Sequence, residues 1–259
     1  MTFPFSKNTL IATLSTALFL PSQAALIAHY DFADGNLLDD EQGTYDLTET
    51  TNGTANVGLD AEGFATFPGN DGTNEAHLEA AGPGGASNFT VSLWVRTDDW
   101  TQGNYQGIFS NNTGGAGTDF SWQLDSSGGN IRVVSNSSVS GVTYATSNLT
   151  ADKWYNFIVR KTGTATELWI TEEGVGSAVK VAEDIDTTPG GLQQFRLGVN
   201  RGDDSFLRMD MANVKIYDDA SISLDTLLAE GPQLNTIPEP SSSALLSLAG
   251  LSLILRRRR

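Results

Sequence analysis

Residues 88–96 read NFTVSLWVR and residues 153–161 read KWYNFIVRK. An extended chain sends successive side chains to opposite faces. In the first stretch Phe89, Val91, Leu93 and Val95 therefore share one face, and Thr90, Ser92, Trp94 and Arg96 share the other. The second does the same, with Tyr155, Phe157 and Val159 opposing Trp154, Asn156, Ile158 and Arg160. Alternation kept over a whole segment marks a strand with one face in a core. Thr162-Gly163-Thr164 is a turn signal, and residues 166–171 (TELWIT) start a return strand, so the two should form a hairpin. Working outward, the same reading predicts strands at 25–32, 64–67, 106–110, 120–125, 131–135, 195–200 and 212–217. Many short strands separated by Gly, Asn, Asp and Ser predict an all-β sandwich rather than a parallel α/β sheet. One short helix is expected near the end, capped by Ser223, striped by Leu224, Leu227 and Leu228, and stopped by Gly231.

Charge and composition narrow the function. The 259 residues carry 15 Lys+Arg against 31 Asp+Glu, a formal net charge of −16. Setting aside Lys7, the four terminal arginines and Glu239 leaves residues 25–237 at −20. Such a body repels phosphate backbones, which argues against a nucleic-acid partner. With no cysteine there is neither disulfide nor thiolate chemistry, and two histidines are too few for a zinc cluster. The 27 glycines and the 18% of charged residues argue against a coiled coil.

The two ends predict where the chain goes. Residues 1–24 have the form of a signal peptide: Lys7, the apolar run LIATLSTALFL at 10–20, the breaker Pro21, and small residues up to a cut between Ala24 and Ala25. At the other end, after a linker at 231–237, come Pro238-Glu239-Pro240, three serines, the apolar run ALLSLAGLSLIL and four arginines. From Ser241 the apolar part is 15 residues, about 22 Å as a helix at ~1.5 Å per residue, a marginal span held by a positive stop. Tripeptide, plug and arginine cluster in that order resemble the PEP-CTERM sorting signal over residues 238–259. That resemblance implies transient membrane insertion, processing by an exosortase, and delivery to the cell surface or extracellular matrix of a Gram-negative bacterium. A plain uncleaved anchor is the competing reading of the same tail.

The body carries a second resemblance. Residues 30–47 (YDFADGNLLDDEQGTYDL), 64–69 (FATFPG), 88–95, 154–160, 168–170 and 209–218 (MDMANVKIYD) follow in the order of LamG-like jelly-roll domains. The match covers about residues 25–230 and departs at 168–174 and in the loop 69–87. It implies a concanavalin A-like jelly roll of two antiparallel sheets, a fold that serves lectins, adhesion modules and glycoside hydrolases.

Chemistry is scarcer. Retaining glycoside hydrolysis needs two carboxyls about 5–5.5 Å apart, on a strand at alternate positions. Glu172 and Glu173 are adjacent and run into Gly174, while Asp184 and Asp186 are spaced suitably but read as a loop beside Pro189. Catalysis is therefore not expected, and His29 and His77 read as structural. Calcium wants six to eight oxygens from loop carboxylates and carbonyls. By resemblance to jelly-roll relatives that join N- and C-terminal segments around such an ion, Asp34, Asp39 and Asp210 are the expected ligands. For a sugar, Trp94 with Arg96, and Trp169, fall on the more polar side of their strands, where an exposed indole could meet a ring's apolar face; packing is the rival reading. Trp100 is a weaker candidate, and Arg201-Gly202-Asp203 is short enough to arise by chance. The expected function is an exported, non-catalytic binding module for extracellular polysaccharide. The alternatives are a structural matrix protein without a discrete ligand and a divergent glycan-active hydrolase.

Overall fold

The computed structural model describes residues 24–70, 73–85, 88–111, 120–125, 127–135, 138–163, 165–185 and 191–232. The predicted signal peptide up to residue 23 and the tail from 233, with Pro238, Glu239 and Pro240, lie outside them. Fifteen strands are present among the described residues: β1 (Leu26–Tyr30), β2 (Thr48–Asn52), β3 (Gly58–Leu59), β4 (Ala65–Pro68), β5 (Glu75–Gly84), β6 (Phe89–Arg96), β7 (Asn104–Asn111), β8 (Phe120–Asp125), β9 (Asn130–Ser135), β10 (Ser138–Ala145), β11 (Tyr155–Thr162), β12 (Ala165–Glu172), β13 (Lys180–Asp184), β14 (Leu192–Leu197) and β15 (Arg208–Tyr217). A short helix, α1 (Leu224–Ala229), follows them.

The strands build the jelly-roll sandwich that the sequence predicts. One sheet has the order β13-β12-β11-β6-β15-β4-β3, with β1 also on β15, and the other β10-β9-β8-β7-β14-β5-β2. The predicted hairpin is β11–β12, in register from Tyr155↔Glu172 to Thr162↔Ala165. Alternation decides what each strand buries. Val91, Leu93, Val95, Phe157 and Val159 enter the interior from the eight-stranded sheet, and Leu78, Phe120, Trp122 and Phe195 from the seven-stranded one. Rings join the layers: Trp122 meets Phe157 at 5.7 Å and Phe89 stacks on Phe120 at 5.6 Å. Trp100 is also interior, 5.8 Å from Phe157, rather than a loop contact.

Two local readings need correction. The stretch 69–87 contains the ten-residue β5, whose first seven residues, EAHLEAA, suit a helix by composition. Pairing on both sides, with β14 and β2, overrides that propensity, and Ala76, Leu78 and Ala80 face inward. Asp184, read as loop, ends β13 opposite Thr166, while Asp186 lies outside the described residues.

The outer face of the eight-stranded sheet is not open. Helix α1 lies on it, Leu228 in a cluster with Phe64, Trp94, Trp154 and Ala212, and Leu224 and Leu227 in one with Ile158 and Tyr217. The start of the body closes on the end of β15. The Ala25 amide donates to Asp218 Oδ1 at 2.9 Å, and the Asp218 amide donates to Ala25 O at 3.1 Å. The chain between β14 and β15 makes a tight hairpin over residues 199–206. Val199 bridges Phe206, and the Asn200 amide donates to Ser205 O at 3.1 Å. This hairpin lies against Gly107, whose amide donates to Ser205 O. A Cβ at Gly107 would come within 1.9 Å of the Val199 carbonyl carbon, so only glycine admits the hairpin.

Candidate functional site

The outer face of the seven-stranded sheet is polar, carrying His77 and Glu79 on β5, Gln194 and Arg196 on β14, and Gln123 and Arg132 on β8 and β9. Next to it Tyr105, 47% exposed, is the aromatic among the large hydrophobic side chains left exposed in the described residues. Its position is built, not incidental. The register shifts between Asn104↔Asp125 and Gln106↔Leu124, so Tyr105 is an extra residue in β7, with φ of +64°. Such a bulge re-aims a side chain, and a non-glycine residue in this region carries strain. The Arg132 guanidinium lies 4.8 Å from the Tyr105 ring centroid and is itself held by Asp125 at 2.7 Å. Gln123 is the cross-strand partner of Arg132. Across from them stands the 199–206 hairpin, giving Asn200, Arg201 and Asp204; Asn200 Nδ2 donates to Asp204 Oδ1 at 2.8 Å. Together they enclose a cleft of about 350 Å³, which falls within the usual range of small-molecule sites. The arrangement offers one half-exposed ring beside fixed amide, guanidinium and carboxylate groups. Hydroxyl-rich ligands with apolar ring faces suit it.

The residues singled out from sequence fall elsewhere. Trp94 is 1% exposed beneath α1 and presents no open ring. Alternation correctly puts it on the face away from the sandwich interior, but does not reveal that the helix covers that face. Trp169 is half-buried, its Nε1 donating to Glu167 Oε2 at 3.1 Å and Lys180 Nζ standing 5.8 Å from its ring. Arg96 lies with its guanidinium 4.8 Å from both the Phe64 and Trp154 rings and donates twice to Asp210 Oδ2, at 3.0 and 2.9 Å. That pair sits in a separate cleft of about 210 Å³ with Thr66, Asp98 and Arg208.

The expected metal set also rearranges. Asp34 and Asp39 come together with Glu41, ligand oxygens within 4.8 Å of one another, whereas Asp210 is engaged by Arg96 and is not part of this group. The loop that carries them is organised by a residue that sequence reasoning passed over. Asp40, 2% exposed, accepts from the His29 and Gln42 amides with one oxygen and from the Thr44 and Tyr45 amides with the other. With Asp40 fixed inward, its neighbours Asp39 and Glu41 are exposed.

Both histidines are held below their ordinary pKa. For His77 the cause is burial first and the Arg196 charge second; for His29 it is burial and then Lys215. The sequence reading does not single out Tyr105. The available signal was an aromatic directly after Gly103-Asn104 at the mouth of a strand.

A profile described as the concanavalin A-like lectin/glucanases superfamily matches residues 70–223. No curated protein matches by sequence. Among solved structures, domain 4 of AbnA, a GH43 extracellular arabinanase from Geobacillus stearothermophilus in complex with arabinotriose, is 20% identical, with 82% of this chain and 100% of that one covered and a TM-score of 0.51. The binding domain of botulinum neurotoxin DC in complex with SialylT is 14% identical over 79% of this chain, TM-score 0.53. A botulinum neurotoxin type C structure, described by cell entry dependent on two ganglioside molecules, is 12% identical over 79% of this chain, TM-score 0.54. This chain spans 50% of each toxin chain. At these identities the likeness is one of fold.

Proposed function

The chain belongs to the concanavalin A-like lectin/glucanase superfamily, and on that premise we propose that it is a non-catalytic carbohydrate-binding module whose site is the Tyr105 cleft. The observation that carries the reading is the bulged, half-exposed Tyr105 ring facing Asn200, Arg201 and Asp204 across about 350 Å³. A sugar laid on the ring exchanges water for an apolar face while its hydroxyls meet fixed polar groups. The arabinotriose and SialylT named for the fold's neighbours are in keeping with it. The nearby carboxylates are engaged, Asp125 by Arg132 and Asp204 by Asn200 and Ser205, which suits holding a ligand more than cleaving one. Glycan-array binding of the wild type against Tyr105→Ala tests the proposal. Tyr105→Ala should abolish glycan retention with an unchanged melting temperature. Full binding by the variant, or none by the wild type, would refute it.

The ends supply the setting. Signal peptidase cuts between Ala24 and Ala25, the tail inserts transiently in the membrane, and an exosortase acts at Pro238-Glu239-Pro240, leaving the body at the surface or in the extracellular matrix of a Gram-negative bacterium, against polysaccharide. The support is the order of charges, breakers and apolar runs at both termini. Mass spectrometry of the native protein tests it: Met1 and the four arginines recovered from a cytosolic fraction would refute it. Calcium belongs in this proposal at Asp34, Asp39 and Glu41, three mutually repelling carboxylates that a divalent ion would reconcile.

A further inference from the structure

The hairpin that walls the Tyr105 cleft has a second side. There Thr50, Asn52, Glu75, His77, Asp203 and Phe206 border a smaller cleft of about 160 Å³. It opens on the same face of the same sheet, since His77 alternates with the inward Ala76 and Leu78 and pairs across with Thr50. Its floor is ring surface, with the His77 and Phe206 centroids 5.8 Å apart and both residues buried. Its rim is formed by the exposed residues Thr50, whose hydroxyl donates to Glu79 Oε1 at 3.2 Å, and Asn52.

Between the two clefts lies Arg196, whose side chain is 4% exposed. It donates through Nε to Glu79 at 3.2 Å and through Nη2 to Asp203, so it fastens the hairpin tip to β5. Its Nη1 is buried without a hydrogen-bond partner, as is Oγ of Ser110, the residue opposite on β7. Unmet polar groups at this depth are costly.

Strands β8 and β9 floor the first cleft, and β5 and β2 the second. At about 4.8 Å between strands, the near floors stand about 14 Å apart and the far ones about 24 Å. One sugar ring fills one cleft only. Charge narrows the ligand further. The first cleft is lined by Arg132, Arg201 and Asp204, and Asp125, outside the lining, holds Arg132 at 2.7 Å; Glu75 and Asp203 border the second, with Arg196 beside it bound to Asp203, and the body stands at −20. A polyanion meets no excess of positive charge anywhere along this path.

Resting on the reading of the Tyr105 cleft as a glycan site, we infer that the ligand is an internal stretch of a neutral polysaccharide, laid across the strands over the Arg201-Gly202-Asp203 tip, with a second subsite bordered by Thr50, Asn52 and Phe206. Two linked subsites bind a ligand that spans both far better than one that reaches either.

Calorimetry tests this with the full body and oligosaccharides of arabinan, xylan and β-glucan, from disaccharide to octasaccharide, with polygalacturonate as the charged comparator. In the series that binds, affinity should rise at least about tenfold from trisaccharide to octasaccharide. Thr50→Arg, on an exposed edge strand, should erase that rise while leaving trisaccharide affinity and melting temperature unchanged. Equal affinity at all lengths, an octasaccharide indifferent to Thr50→Arg, or preferential binding of polygalacturonate would overturn the inference. If Tyr105→Ala abolishes binding but length has no effect, only the second subsite fails. If no series binds the wild type, the Tyr105 reading fails with it.

Discussion

Replacing Trp94 separates a ring that holds the fold from a ring that holds a sugar. Trp94 is 1% exposed and packs with Phe64, Trp154, Ala212 and Leu228. A buried tryptophan removes about 200 Å² from water, worth about 5 kcal/mol at ~25 cal/mol per Å². Alanine keeps part of that and leaves a cavity under α1, so Trp94→Ala should cost about 3–5 kcal/mol. For a body of this size that lowers the melting temperature by about 6–20 °C. Trp94→Phe is the informative partner. The indole Nε1 has no hydrogen-bond partner, so phenylalanine gives up no bond and relieves an unmet donor. Its cost should stay near about 1 kcal/mol. Urea melts of the three proteins, with glycan retention measured on each folded form, decide the matter. The reasoning fails if Trp94→Ala melts like wild type yet no longer retains glycan, because the ring would then be open and α1 would not cover it.

Three further outcomes are expected. His77 and His29 are held below their ordinary pKa in the folded state, so unfolded chains bind protons first as pH falls; stability present above about pH 6.5 should decline towards pH 5, and His29→Gln with His77→Gln should flatten urea midpoints across that range relative to wild type. Millimolar calcium should raise the melting temperature over chelator-treated protein and Asp39→Asn should remove the rise; no shift in wild type would eliminate the site at Asp34, Asp39 and Glu41. Gly107→Ala should displace the 199–206 hairpin, since the new Cβ would stand 1.9 Å from the Val199 carbonyl carbon, and should lose glycan binding with the core still folded; binding at wild-type affinity would show that the hairpin does not shape the cleft.

The legible and illegible parts of this molecule divide by the range of the interactions involved. Strands such as β6, β11 and β15 announce themselves because burying one face imposes a period of two on neighbouring residues. Strand β5 does not, because its alanines and glutamates are extended only through two partners far along the chain, β14 and β2. The same limit governs the site. Sequence alternation assigns Trp94 to the face outside the sandwich, but which outer face stays open is decided by α1, 130 residues later in the chain. Tyr105 is the converse case. Its exposure comes from a register shift against β8, a relation between two strands that neither strand spells out alone. Sequence does not distinguish Asp39 from Asp40, two adjacent acids, and only the closed loop shows which carboxylate gathers four backbone amides.

Under the proposed cleavage after Ala24, the clasp between Ala25 and Asp218 takes on a further role. In the uncut chain its donor is an ordinary peptide amide, 2.9 Å from the Asp218 carboxylate. Cleavage after Ala24 would convert that nitrogen into a primary ammonium without moving it, and a neutral contact would become a charge-assisted one. The seam between the first and last strands, already closed by two hydrogen bonds in the uncut chain, would then gain a charged contact from the cleavage proposed above.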